Sequence, residues 1–226
     1  MNKAIIQVVI CSCLILAAAC GQEEEEPTRA TPDMQAQATG TIVAMGDSLT
    51  EGLGVSEEKT YPVLLQKALR DKGYDYRVVN AGISGETSSG ARSRMEWVLR
   101  LKPDIIILET GANDGLRGLD PELIRRNIRE LVDAFTAKGI VVVLAGMKMF
   151  PNLGPAYSKM FADVYTDVGG DDDVILIPFF LEGVAGVPKM NQSDGIHPTA
   201  DGYARVVEHI LPYVIEAIAR HQKQTR

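Results

Sequence analysis

Five short runs of β-branched and other apolar residues alternate along the chain with segments of helical apolar spacing. The runs lie at 41–45, 76–79, 104–108, 140–145 and 174–177. Continuous apolar runs such as DIIIL and IVVVLA are typical of strands that are buried on both faces, as in a parallel sheet. Strands that alternate with helices form such a sheet and bury it between helices. The sequence therefore predicts an α/β domain with three layers, αβα.

The limits of three helices are indicated by apolar spacing and by proline and glycine. One helix is predicted at 62–69, and a second one opens at Pro121 and stops at Gly139. The last helix begins at about Thr199 and contains Pro212. Because proline lacks an N–H and clashes with the preceding turn, we expect a kink or a break at that position.

The first 19 residues have the layout of a secretory signal peptide, with Lys3 followed by the apolar run 4–19. This run is shorter than the roughly 20 residues that a membrane-spanning helix needs. The string LILAAAC resembles the bacterial lipoprotein box, so we expect cleavage before Cys20 and lipidation of that cysteine. Two alternatives stay open: cleavage within 17–19 without lipid, and an uncleaved anchor.

Residues 20–39 are polar and include four consecutive glutamates and two prolines, which predicts a flexible tether. The domain then spans 40–221, and 222–226 form a short tail. Both other cysteines lie inside the signal, so the exported chain has no cysteine that could pair with Cys20. Without the signal the chain has 22 basic and 30 acidic residues, a net charge of −8. That charge argues against nucleic acid as a partner.

Four polar or glycine-rich motifs follow the predicted strands. They are GDSLTEG after the first strand, NAGISGET after the second, ETGANDG after the third and DGIHP in the segment after the fifth. The carboxyl ends of parallel strands meet at one edge of a sheet, and ligands bind there. We therefore expect an active site at this edge.

Ser48 in GDSL is a candidate nucleophile, which needs a base and an acid that orients the base. Of the three histidines, His209 falls in the last helix and His221 in a basic, frayed tail. His197 instead precedes a proline, which disfavours a helical backbone and indicates a loop. Asp194, three residues earlier, is within reach of the ring Nδ1. The alternative that Asp194 merely caps a turn and His197 packs against it stays open.

The oxyanion that forms when a serine attacks a carbonyl needs fixed hydrogen-bond donors. The candidates are the backbone N–H groups of Ser48 and Gly82 and the side-chain amide of Asn113. Glycine and asparagine also dominate ordinary turns, so a purely structural role is the alternative. Ser84 and Asp47 are rivals for the chemical roles, but we expect both to hydrogen-bond the surrounding loops.

Taken together and in order, the four motifs resemble the conserved blocks of the SGNH (GDSL) hydrolase family. The longer strings AMGDSLTEG, VVNAGISGETS, LETGANDGLRG and DGIHP are most similar to the bacterial thioesterase I, lysophospholipase and arylesterase branch. The resemblance implies a flavodoxin-like sheet of five parallel strands in the order 2-1-3-4-5. It also implies a hydrolase of acyl esters and thioesters that needs no metal or organic cofactor.

The resemblance assigns a role to each candidate residue. Ser48 would be the nucleophile, His197 the general base and then acid, and Asp194 the orienting carboxylate. Ser48, Gly82 and Asn113 would form the oxyanion hole. It further implies that the loop at 115–119 closes over bound acyl chains, a movement that its two glycines permit.

The loops at the predicted active-site edge carry more apolar residues than solvated loops need. The candidates to line a groove for an acyl chain are Leu116, Leu119, Phe150, Leu153, Tyr157 and Phe180. The alternative is that such residues pack the loops onto the sheet.

We expect a monomeric serine hydrolase that acts on small acyl esters or thioesters. The predicted lipid on Cys20 makes the membrane its second partner, and Gly21, in place of an aspartate, favours the outer membrane on its periplasmic side. Two alternatives remain: a carbohydrate or peptidoglycan O-acetylesterase, and a catalytically inactive, lipid-anchored binding protein.

Overall fold

A computed structural model of the chain describes residues 38–226. The predicted signal peptide, the lipidation site Cys20 and nearly all of the predicted tether lie outside the described residues. Within 38–226, five parallel strands form one sheet in the order β2-β1-β3-β4-β5, which confirms the predicted fold class and strand order. The strands are β1 (Gly40–Gly46), β2 (Tyr76–Gly82), β3 (Ile105–Leu108), β4 (Val141–Ala145) and β5 (Val174–Ile177).

The central strand β1 is paired on both sides. Ile42 stands opposite Val78 of β2 and Ile105 of β3. Every residue of β3 and β4 is buried, because helices cover both faces of the sheet. The edge strand β2 is more polar, with Arg77 and Asn80 exposed. Burial on both faces is the physical reason why the middle strands read as continuous apolar runs.

Eight α-helices cover the sheet within the part of the chain that the structure describes. They are α1 (Ser48–Glu51), α2 (Tyr61–Asp71), α3 (Ser88–Ser93), α4 (Met95–Leu99), α5 (Ala112–Leu116), α6 (Pro121–Thr136), α7 (Pro155–Val168) and α8 (Ala200–Gln224), with 3-10 turns at Glu57–Lys59, Pro151–Leu153 and Pro188–Met190. Helix α2 packs beside α8, and α6 packs beside α3 and α7. None of the helices described here is both long and apolar enough to cross a lipid bilayer.

The alternative that the helix breaks and restarts at Pro212 is wrong, because α8 is continuous from Ala200 to Gln224. Ile210 and Val214 on either side of the proline are fully buried in the core. Pro212 is exposed, as is Glu208, whose carbonyl loses its helical partner to the proline. Packing of the flanking residues therefore outweighs the cost of a proline inside the helix, which is about 3 kcal/mol.

The expectation that His221 lies in a frayed tail is also wrong. The residue belongs to α8 and is 8% exposed. Its Nδ1 lies 2.8 Å from the Tyr76 hydroxyl, and its Nε2 lies 3.5 Å from Oδ1 of Asp104. These contacts hold the end of α8 against the amino ends of β2 and β3, far along each strand from the predicted active-site edge.

Helix α7 was not predicted. The segment after β4 is rich in apolar residues and was expected to form only a strand-end loop that carries Tyr157. Instead Phe161, Val164 and Val168 are buried on one side of a 14-residue helix that packs beside α6. The turn at Gly154, with φ of +89°, brings the chain into this helix.

Candidate active site

Ser48 lies directly after the central strand, at the carboxyl edge of the sheet. Strand β1 ends at Gly46, and Asp47 caps the short helix α1, of which Ser48 is the first residue. The Oδ1 atom of Asp47 accepts a hydrogen bond from the Leu49 N–H at 3.0 Å. Only 8% of Ser48 is exposed, so a buried strand and a capped turn together fix its position.

Ser48, His197 and Asp194 form one hydrogen-bonded chain. Ser48 Oγ lies 2.8 Å from Nε2 of His197, and Nδ1 of that ring lies 2.7 Å from Oδ2 of Asp194. The other oxygen of Asp194 accepts the N–H groups of Ile196 at 2.9 Å and His197 at 3.0 Å. Asp194 thus caps the turn and also binds the ring, so a turn cap alone does not describe it.

The charge state of Asp194 sets the tautomer of the histidine. The hydrogen bond from the His197 side chain, followed by the two backbone N–H groups, lowers the pKa of Asp194 to about 2. Asp194 is therefore a carboxylate above about pH 3 and accepts a hydrogen bond from the Nδ1–H group of the ring. This arrangement leaves Nε2 of a neutral ring free to accept the Ser48 hydroxyl proton.

The loop that carries His197 is attached to the loop after α1 by Gln192, which sequence reasoning missed. Its Nε2 donates to the carbonyl of Leu53 at 2.7 Å and to that of Pro198 at 3.0 Å. Its backbone N–H donates to the His197 carbonyl at 2.8 Å. One amide side chain therefore fixes the distance between two segments that are far apart in sequence.

The other polar residues that were weighed for a chemical role have different partners. His209 Nε2 lies 3.0 Å from the carbonyl of Phe179. Ser84 donates both its hydroxyl and its backbone N–H to the carboxylate of Glu51. The expectation that Ser84 makes loop hydrogen bonds is thus confirmed.

Asn113 faces the same cavity as Ser48 and His197, a space of about 240 Å³. It lies on α5, which follows β3 after a turn at Gly111 with φ of +102°. One N–H of its side-chain amide donates to Oδ2 of Asp47 at 3.0 Å. The amide therefore has one further N–H that a ligand oxygen in the cavity can accept.

Gly82, the third expected oxyanion donor, is not brought to this cavity, and that expectation is wrong. Its N–H donates to Oδ1 of Asn80 at 2.9 Å. A Cβ atom at Gly82 would lie 2.1 Å from the backbone nitrogen of Glu51, so glycine is needed here for β2 to pass α1. The error follows from the end of β2, which extends to Gly82 through pairing with Gly46 instead of stopping at Val79.

Gly85, and not Gly82, lies at the cavity that contains Ser48. It lines the cavity of Ser48, has a φ of +77°, and its N–H makes no hydrogen bond with any of the described residues. Its carbonyl accepts Nη2 of Arg117 at 2.9 Å. The next residue, Glu86, forms a nearly buried ion pair of 2.6 Å with Arg94, whose Nη2 also reaches the carbonyl of Gly46 at 3.2 Å. These contacts fix the Gly85 loop against the end of β1.

A second, apolar cavity of about 200 Å³ adjoins the first one. The two cavities share four lining residues: Leu49, Ala112, Leu116 and Ile196. The remaining lining residues of the apolar cavity are Met147, Lys148, Met149, Phe150, Phe179, Leu181, Ala185, Asn191 and Gly195. A group bonded to Ser48 therefore has an adjacent apolar space into which it can extend.

Two of the six residues expected to contact substrate, Leu116 and Phe150, line this apolar cavity. Leu153 is 44% exposed and does not line either cavity. The Tyr157 hydroxyl donates to the Leu119 carbonyl at 2.7 Å, so this pair closes a loop instead of facing a ligand.

The expectation for Phe180 is wrong, since it is fully buried with its ring 5.2 Å from that of Tyr61. The neighbouring Phe179 lines the apolar cavity instead. Phe180 begins a turn after β5, and the apolar pattern of the sequence did not indicate which of the two phenylalanines faces the cavity.

Comparison with known proteins gives consistent matches. The sequence model of the GDSL-like lipase/acylhydrolase family matches residues 44–205. The chain is 43% identical to the esterase TesA of Pseudomonas aeruginosa over 179 residues, which are 79% of this chain and 89% of that protein. It is 34% identical to the thioesterase 1/protease 1/lysophospholipase L1 of Escherichia coli K12 over 168 residues, 74% of this chain and 79% of the relative.

A solved structure agrees with the fold. The crystal structure of a TesA protein superimposes with a TM-score of 0.75 at 42% identity, and the match covers 78% of this chain and 99% of that one. Because the match covers nearly all of that structure, the two proteins share the fold.

If the backbone N–H of Gly85 binds the oxyanion, then Gly85→Ala should have a specific effect on the rate. A side chain at a φ of +77° is strained, and relief of that strain turns the backbone N–H away from the cavity. We expect kcat to fall at least tenfold with little change in KM, a loss that approaches the roughly 10²- to 10³-fold of a deleted donor. Steady-state kinetics with a p-nitrophenyl ester measures both values.

Gly73→Ala is the matched control, because Gly73 has a φ of +84°, has no neighbouring atoms within 4 Å and lies outside both cavities. It introduces the same backbone strain but should keep the wild-type kcat. An unchanged kcat in Gly85→Ala would show that this N–H does not bind the oxyanion.

Proposed function

The chain belongs to the GDSL-like lipase/acylhydrolase family and is a carboxylic ester hydrolase, and we propose that it cleaves acyl esters and thioesters through an acyl-enzyme on Ser48. The observation that supports this proposal most strongly is the chain from Ser48 Oγ to His197 Nε2 and on to Asp194, with distances of 2.8 and 2.7 Å. These groups lie in a cavity that continues into an apolar one.

In the first step, His197 Nε2 takes the hydroxyl proton of Ser48 while Oγ attacks the carbonyl carbon. The negative charge that develops on the carbonyl oxygen is stabilised by the N–H groups of Ser48 and Gly85 and by the Asn113 amide. Asp194 stays a carboxylate and stabilises the charged imidazolium ring. The ring then protonates the leaving oxygen or sulfur, and the acyl-enzyme remains.

In the second step, His197 removes a proton from a water molecule, which attacks the acyl carbonyl. The same donors stabilise the second oxyanion, and the proton held by the ring returns to Ser48 Oγ as the carboxylic acid leaves. Both steps need only acid–base chemistry and oriented hydrogen bonds from residues of this chain.

We propose that the acyl group of the substrate occupies the apolar cavity. Leu53, Leu116, Phe150 and Ile196 around the two cavities are each at least 37% exposed, which is unusual for large apolar side chains without a ligand or partner. Such a surface suits a hydrocarbon chain better than a carbohydrate, so esters of longer acids are favoured over acetyl esters. An O-acetylesterase is the alternative. Thioesters are included because the leaving group alone differs, and a relative is named a thioesterase.

We also propose that the protein is exported, lipidated at Cys20 and monomeric, and that it faces the periplasm from the outer membrane. The lipoprotein-box string LILAAAC and the glycine after Cys20 support this location. A polar linker of the length of residues 21–37 would let the domain act at a distance from its anchor.

Ser48→Ala tests the proposed nucleophile. We expect turnover of p-nitrophenyl butyrate to fall by at least about 10⁴-fold, because no other hydroxyl lies within reach of His197 Nε2 among the described residues. Circular dichroism should show an unchanged fold. Ser93→Ala is the matched control and should keep most of the activity, since Ser93 is exposed, donates to the Gly90 carbonyl and lines neither cavity. Turnover that survives in Ser48→Ala contradicts the proposal.

The preference for acyl chain length tests the role of the apolar cavity. Each buried methylene contributes about 0.8 kcal/mol, or roughly a fourfold gain in kcat/KM. We expect kcat/KM to rise from acetyl to at least hexanoyl p-nitrophenyl esters. Ala185→Leu, which narrows the cavity, should lower the values for long esters only, and Ala137→Leu at an exposed site far from it serves as control. A maximum at acetyl in the wild type would favour the O-acetylesterase.

A further inference from the structure

A buried carboxyl group lies directly behind the candidate nucleophile and takes no part in the steps above. Glu109 follows β3 and is fully buried. Its Oε2 atom accepts the backbone N–H of Asp47 at 3.1 Å and the hydroxyl of Thr50 at 2.9 Å. Its Oε1 atom is buried and makes no hydrogen bond with any of the described residues.

A charged carboxylate with one oxygen unpaired in the interior is strongly disfavoured. Burial, followed by the nearby charge of Asp47, raises the pKa of Glu109 well above its usual range. Burial also raises the pKa of Asp47, but the N–H groups of Leu49 and Asn113 both donate to this carboxylate and oppose the shift. The proton of the pair therefore resides on Glu109 and the negative charge on Asp47.

The two carboxyl groups are connected to the oxyanion hole. Glu109 holds the backbone N–H of Asp47, and Asp47 Oδ2 holds one N–H of the Asn113 amide at 3.0 Å. Fixing one N–H of a planar amide also fixes the direction of the other. Thr50, the second donor to Glu109, is itself 3.2 Å from the Tyr61 hydroxyl and completes a buried polar network.

We propose that Glu109 is a positioning residue for the proposed ester hydrolysis: as an uncharged hydrogen-bonding group it holds Asp47, and thereby aims the Asn113 amide at the oxyanion. The absence of charge matters because a second negative charge beside Asp47 would repel the oxyanion. This inference rests on the proposed function and adds a residue that does not touch the substrate.

Glu109→Gln and Glu109→Leu separate the hydrogen bond from the volume of the side chain. Glutamine keeps an uncharged acceptor for Asp47 and Thr50, so kcat should stay within about threefold of wild type. Leucine keeps a similar volume but offers no acceptor, so kcat should fall about 10- to 100-fold while KM changes by less than about threefold. If Glu109→Leu does not fold, the single variant Thr50→Val, compared with Glu109→Gln, tests the same network.

A double-mutant cycle with Asn113→Ala distinguishes positioning from a general effect on the fold. If Glu109 acts through the amide, Glu109→Leu should lower kcat no more than about twofold further once Asn113 is alanine. Multiplicative losses in the double variant would overturn the inference. A Glu109→Gln variant as impaired as Glu109→Leu would also overturn it, because a charge would then be required.

The pH dependence of stability reports the protonation state directly. A carboxyl group whose pKa is raised on folding binds a proton in the folded state that the unfolded state has released. The wild type should therefore lose stability relative to Glu109→Gln as pH rises above about 4.5, the ordinary value for glutamate. A difference in melting temperature between the two that stays constant from pH 4.5 to 7.5 would overturn the uncharged state.

The wild type and Ser48→Ala, measured in the same assay, separate this inference from the proposed function. Turnover that depends on Ser48, together with a wild-type kcat in Glu109→Leu, would overturn the role of Glu109 alone. Turnover that survives in Ser48→Ala would instead overturn the proposed function.

Discussion

The site depends on one hydrogen bond, from Ser48 Oγ to His197 Nε2, which joins residues 149 positions apart in the sequence. Each end of this bond is held by a different part of the fold. Ser48 leaves the central strand of a sheet buried on both faces, and Asp47 caps the turn beneath it. His197 lies on a loop that Asp194 folds and Gln192 attaches to the Leu53 carbonyl. The distance of 2.8 Å is thus fixed by the sheet and by the side chains of Asp47, Asp194 and Gln192.

The proposed oxyanion donors are positioned by buried charged groups. Asn113 is held by Asp47, and the Gly85 loop is held by the Glu86–Arg94 ion pair, which also binds the carbonyl of Gly46. Burial of such groups is costly unless hydrogen bonds satisfy them. The network therefore adds little to stability, and its main effect is to hold the donors in a single geometry. Its one unpaired carboxyl oxygen is on Glu109.

The fold class could be predicted because burial on both faces produces continuous apolar runs. The strand order was implied only by the resemblance of the strand-end motifs to a known family. Residues whose place depends on tertiary contacts could not be predicted. Gly82 and Gly85 both follow the strand predicted at 76–79, and only pairing with β1 shows that β2 extends to Gly82. Phe179 and Phe180 are adjacent and equally apolar, yet one lines a cavity and the other is in the core. Packing likewise carries α8 through Pro212.

In the proposed mechanism, His197 activates the Ser48 hydroxyl, which then forms the acyl-enzyme. Reaction with a fluorophosphonate probe, followed by digestion and mass spectrometry, tests it most directly, since the probe traps an activated serine without any assumption about the natural substrate. We expect a single label on the peptide that contains Ser48, and labelling that is at least about 100-fold slower in His197→Ala. A label on another residue, or an equal rate in His197→Ala, would contradict it.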